Sequence, residues 1–206
     1  MRNFTFSNKS NSSLSLILLL TCFVLSISDT EAQNIAATDG GVPCWSCVPP
    51  GWTTSAGTPD ISNRFNGAVN NGVNAGSGAS WNIPGGQLPL PPNNHQDWIS
   101  LRDLGPAFTE ENVEHTITGL VAGRTYEVIL YSLTAVTNQD GFNTDYYAGT
   151  PIDRFRYEIQ GVSNTVTSIS QNTWDTARVR FTATNNTALI ALFPDTNGAG
   201  NGGGRI

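Results

Sequence analysis

"DRFRYEIQG", residues 153–161, puts Phe155, Tyr157 and Ile159 on one side and Arg154, Arg156 and Glu158 on the other. A period of two is what a β-strand needs when one face lies on a core and the other in water. The same reading extends in both directions. Upstream lie "DWISLRDL" (residues 97–104), "EHTITGL" (114–120) and, after the turn "VAG", "RTYEVILYSLTAV" (124–136). Downstream come "SNTVTSIS", "WDTARVRFTAT" and "TALIALFP", with turn-forming residues between them. No window of a dozen residues carries a helical repeat. About seven short strands spaced by turns predict an all-β, antiparallel β-sandwich.

The first part of the chain has a different character. Residues 1–32 read as a signal peptide: Arg2 and Lys9 are the positive end, "LSLILLLTCFVLSI" (14–27) is the apolar run, and "TEA" (30–32) carries the small residues that precede cleavage. Cleavage after Ala32 leaves residues 33–206 as a single domain. Cys22 follows "LLT", but Thr21 is larger than a lipidation signal wants and the apolar run continues past the cysteine. The apolar run is too short to span a bilayer, and no later stretch approaches the roughly 20 apolar residues that a crossing needs. The expected location is therefore secreted, extracellular or cell-surface, without membrane insertion once the signal is removed. The formal net charge is −6 and Lys9 is the sole lysine of the 206 residues. The arginines are dispersed, so the chain lacks the basic patch that nucleic acid or an anionic membrane surface would require.

Residues 33–96 are rich in Gly, Asn, Pro and Ser. Within them "CVPPGWTTSAGTPDISN" (47–63) reads as a rigid ribbon, its prolines fixing φ and Trp52 serving as an anchor. Residues 66–94 read as a long surface excursion pinned by Trp81 and the prolines.

Several fragments in order resemble the galactose-binding-like jelly-roll domains of secreted bacterial proteins, a group that includes many carbohydrate-binding modules. They are "PPGWTTSAGTPDIS", a Gly/Asn-rich segment, "HQDWISLRD", "HTITGLVAGRTYEVILYSL" and "WDTARVRFTATNNTALIAL", together covering residues 44–193. The resemblance implies a jelly roll in which the ribbon is a crossing, Trp52 closes one end of the sandwich, and "TPD" turns the chain into the next strand. It also implies that a structural calcium is common. "EAQN" at the end of the signal is similar to exported proteins of Bacteroidetes. The chain departs from the pattern at both ends. "NIAATDGGVPCWSC" replaces an opening strand of the type Asn-Gly-x-Phe-Glu, and "NGGGRI" stands where a closing strand would begin. The expectation is a sandwich lacking its last strand. "TITGLVAGRTYEVILYSLTAV" also resembles the fibronectin type III corner. That fold needs only one more short strand, whereas residues 137–206 remain, so the jelly roll is preferred.

Cys44 and Cys47 are the only cysteines after the signal, and in an oxidising compartment they read as a local disulfide. Two alternatives stay open: a redox dithiol, which needs a helix amino terminus behind it, and half of a zinc site, for which His95 and His115 lack ligand spacing. The carboxylates Asp97, Asp103, Glu110, Glu111, Glu114, Asp140, Asp145, Asp153 and Glu158 read as a solvated acidic surface. A glycosidase would need two of them facing across a bond. No nucleophile elbow is present, so no catalytic residue is assigned and the chain is not expected to be an enzyme.

The stretch "TNQDGFNTDYYAGTP" (137–151) offers Asp140, Asn143 and Asp145 as oxygen ligands for calcium, although a plain turn insertion explains the same letters. Sugars stack their apolar ring faces on exposed aromatics, which makes Trp81, Phe142, Tyr146 and Tyr147 the ligand-binding candidates. Trp98 and Trp174 read as core. The function expected is a secreted, non-catalytic binding or adhesion module for carbohydrate or a cell-surface protein. The alternatives are an extracellular polysaccharide hydrolase and a structural domain of a larger exported protein.

Overall fold

The computed structural model describes residues 43–44, 46–65, 81–102, 110–136, 152, 154–167 and 169–195. Among them the fold is all-β and antiparallel, with one 3-10 turn at Pro84–Gly86 and no α-helix. The strands are β1 (Trp52–Thr53), β2 (Asp60–Asn63), β3 (Asp97–Ser100), β4 (Val113–Ile117), β5 (Thr125–Ser132), β6 (Arg154–Ile159), β7 (Val162–Thr167), β8 (Asp175–Thr182) and β9 (Ala188–Pro194). A five-stranded sheet has the order β1-β4-β9-β6-β7, and two further pairs are β2-β3 and β5-β8.

The period of two in "DRFRYEIQG" is realised in β6. Phe155 is wholly buried and Ile159 is buried, and they sit in register with Pro194 and Ile190 of β9. Arg154, Arg156 and Glu158 take the outer face, where Arg156 pairs with Glu158 and Glu110 and lies 3.9 Å over the Phe193 ring. In the β5-β8 ladder Tyr126, Val128 and Leu130 oppose Phe181, Val179 and Ala177, while Glu127 on the other face bonds Arg178 and Arg180. Leu130 of β5, like Tyr157 of β6 and Leu192 of β9, packs against the buried cluster of Ile152, Phe155 and Ile169, and this shared cluster joins the ladder to the large sheet. The result is a β-sandwich, its core filled by the inward halves of two alternating patterns.

A second cluster of Trp81, Leu88, Trp98, Leu133 and Ala135, with Ile83 and Trp174 against it, joins β3 to the end of β5 and the start of β8. Trp98 meets Trp174 edge-on with ring centroids 5.2 Å apart. Residues 118–124 form the corner before β5, where the Val121 N–H donates to the Tyr126 hydroxyl at 2.8 Å. That corner resembles the fibronectin one, yet β6, β7, β8 and β9 all follow it, more strands than that pattern allows. Cys44 and Cys47 are joined by a disulfide.

Candidate functional site

The ribbon at residues 47–63 is fastened by side chains from the segment that leads into β4. Asn112 accepts from the backbone N–H groups of Ser55 and Ala56 at 3.0 and 2.8 Å and donates to Ser55 Oγ and Glu114 Oε1. Glu111, one residue earlier, is 1% exposed. Its Oε2 accepts the Arg102 N–H at 2.7 Å, and its Oε1 lies 3.4 Å from the Thr58 hydroxyl and 3.6 Å from the Arg102 guanidinium. Asp60 on β2 is also buried and accepts the Ser46 N–H at 2.6 Å. Burial first, and the Asp60 charge second, push the Glu111 carboxyl up to about 7, against the opposing pull of Arg102.

A carboxyl with a proton affinity near neutrality is what a general acid would need, and an adjacent second carboxylate completes the superficial likeness to a hydrolase. Access decides against it. Gly57 lies so close over Glu111 that a Cβ there would sit 2.5 Å from Glu111 Cγ, and backbone and ribbon cover the group. A bond to be cleaved has no route to Glu111, so the cluster is a fastening of the fold. Glu111 and Asp97 were expected on a solvated acidic surface; both are buried, and that expectation is corrected. The letters "TEENVEH" gave no warning, because Glu111 lies just before the alternation of β4 begins.

Trp81 is likewise corrected as a ligand-stacking residue. It is 0% exposed, its indole N–H donates to the Asn63 carbonyl at 2.8 Å, and its ring lies 6.3 Å from that of Trp98. Both faces are packed, so no pyranose can stack on it. Trp98 is buried in the same cluster, and Trp174 packs against it while donating to the Pro89 carbonyl at 2.8 Å. Trp52 pairs with β4 and lies 5.1 Å from the His115 ring, whose Nδ1–H donates to the Gly51 carbonyl at 2.8 Å.

Phe142, Tyr146 and Tyr147, and the calcium candidates Asp140, Asn143 and Asp145, lie outside the described residues. The residues on either side of that stretch are fixed in the core. Ala135 is fully buried, Val136 accepts the Asn82 N–H at 2.9 Å, and Thr134 bridges to Gln171. On the far side Ile152 packs with Phe155 and Ile169. Among the described residues no group of three or more His, Cys, Asp or Glu is placed to hold a metal ion. Comparison with protein-family models, with curated proteins and with solved structures yields no match for this chain.

Proposed function

We propose that the chain is an exported, non-catalytic binding module for carbohydrate, of galactose-binding-like jelly-roll type, with Phe142, Tyr146 and Tyr147 as its stacking surfaces. The observation that carries this reading is the anchoring of both flanks of residues 137–151. Ala135 and Val136 on one side and Ile152 on the other are tied into two different core clusters. A segment rich in Tyr, Asn and Asp held between fixed posts suits a binding loop on a rigid scaffold. Asp140, Asn143 and Asp145 would hold a calcium ion that orders this segment; calcium contributes positioning here and no chemistry. The sealed position of Glu111 supports a binding role over hydrolysis.

The test is retention on immobilised polysaccharides by the exported chain and by the double variant Tyr146→Ala/Tyr147→Ala. Retention is expected to fall at least about tenfold with the melting temperature unchanged, which is the size of effect expected when stacking rings are lost. No reducing sugar should be released. A parallel loss of melting temperature would make these rings core, and sugar release would restore the hydrolase reading.

A further inference from the structure

β2 ends at Asn63, and the backbone just beyond it is held by the tryptophan cluster. The Trp81 indole N–H donates to the Asn63 carbonyl at 2.8 Å, and the Leu88 N–H donates to the Arg64 carbonyl at 2.7 Å. Asn63 Oδ1 accepts the Phe65 N–H at 3.0 Å, which bends the chain into a local turn. Trp81 and Leu88 are fully buried, so the backbone that presents Arg64 and Phe65 is pinned to the core. Asn82, next to Trp81, donates its N–H to the Val136 carbonyl at 2.9 Å. Arg64 and Phe65 are thereby clipped beside the post from which residues 137–151 continue.

The two side chains at this place are unusual for the molecule. The Phe65 ring is 47% exposed, and the Arg64 guanidinium carbon lies 5.3 Å from its centroid. Arg64 is half-buried, and its Nε is sealed from water and donates to no group among the described residues. No described carboxylate forms an ion pair with it either, whereas Arg102, Arg154, Arg156, Arg178 and Arg180 each have an acidic partner. Arg124 also stands outside the ion pairs, but it is exposed in a turn where water solvates it. Buried polar groups almost always find a partner, and a partly desolvated cation that lacks one, in a chain of net charge −6, is an exception that needs a reason.

We propose that Arg64 and Phe65 form a subsite for an acidic sugar, a uronate, adjoining the stretch at residues 137–151. A uronate carries both groups that the pair can receive. Its carboxylate is planar and matches the donor fork of a guanidinium, and the apolar face of its ring packs on an aromatic side chain. A neutral sugar would leave the cation unanswered. The fixed backbone means that little ordering is required of the protein when the ligand arrives, so the contacts are made on a prepared surface. The assignment rests on the carbohydrate-binding reading above and gives that reading a ligand class.

The experiment is calorimetric titration of the protein with short galacturonate and guluronate oligomers, each beside its methyl ester, and with dextran sulfate. Esterification removes the charge and keeps the sugar ring, so the acid–ester difference isolates the role assigned to Arg64. At least one uronate is expected to bind about tenfold or more tighter than its ester, with a preference that weakens in high salt. Arg64→Gln should bring acid and ester to equal affinity by weakening the acid alone, and Arg64→Lys should keep part of the difference. Equal affinity for acid and ester in the wild type, a preference that survives in Arg64→Gln, or tighter binding of dextran sulfate than of either uronate would each overturn the proposal. Binding of the esters as tight as that of the acids would leave the carbohydrate reading standing without this subsite, whereas binding of none of the sugars would remove both.

Discussion

Gly57 carries more of this fold than its size suggests. Its φ is +72°, and a Cβ built there would meet Glu111 Cγ at 2.5 Å and the Glu111 backbone Cα at 2.8 Å. The backbone atom cannot swing aside, so Gly57→Ala should cost about 2–4 kcal/mol, strain and overpacking together. Gly123, at φ +83° with nothing near its would-be Cβ, should lose only about 1 kcal/mol on the same change. Urea denaturation of the two variants checks the contrast; equal losses would mean that the ribbon does not press on Glu111. The carboxyl beneath gives a second expectation. Its folded value of about 7 stands above the ordinary 4.5, so the folded state binds the proton more tightly than the unfolded one. The stabilisation is full below about pH 4.5 and is lost as pH rises to about 7, a change of about 3 kcal/mol. Unfolding free energy measured at pH 5 and pH 8 should show this fall, and Glu111→Gln should flatten it.

At the scale of elements, the β6-β7 hairpin turns through Gln160 and Gly161 at φ +53° and +77°, a two-residue turn in which asparagine would be the usual first residue. The glutamine has a structural reason. Its Nε2 donates to the Thr182 carbonyl at 2.9 Å, and its Oε1 accepts the Thr184 N–H at 2.8 Å, so it ties the large sheet to the turn after β8. Gln160→Asn should improve the local turn yet destabilise the protein by about 1–2 kcal/mol, because asparagine is one methylene too short to reach. A calorimetric melting temperature equal to or above wild type would show that the turn outweighs the tie. The strands themselves were legible in sequence. β6, β8 and β9 fall within two residues of the alternating stretches, and β4, β5 and β7 start within one residue of theirs but end three or four residues earlier. β1 and β2 were less legible: β1 is two residues long, and β2 is buried through Asp60, Ile61 and Ser62 without alternation. Their partners lie dozens of residues away, as with Ser55 and Asn112, and no local period reports such a pairing.

At the scale of the whole molecule, a sandwich of antiparallel sheets holds two anchored posts on either side of the Tyr-rich stretch, and the ribbon at residues 47–63 seals the Glu111 carboxyl, which is poised near neutrality. Composition revealed the class of fold, and Trp81 shows where composition stops. An aromatic in a Gly/Asn-rich stretch can face water or core, and only the tertiary partners Leu88, Trp98 and Leu133 decide. The outer ion pairs of Glu127 with Arg178 and Arg180 belong to solubility: Glu127→Gln should leave the melting temperature unchanged in moderate salt. The most direct test of the proposed carbohydrate binding is a glycan array probed with residues 33–206, in calcium and again in chelator. Retention on a defined sugar that weakens in chelator is the predicted result. Absence of retention by a sample with intact thermal unfolding would contradict it.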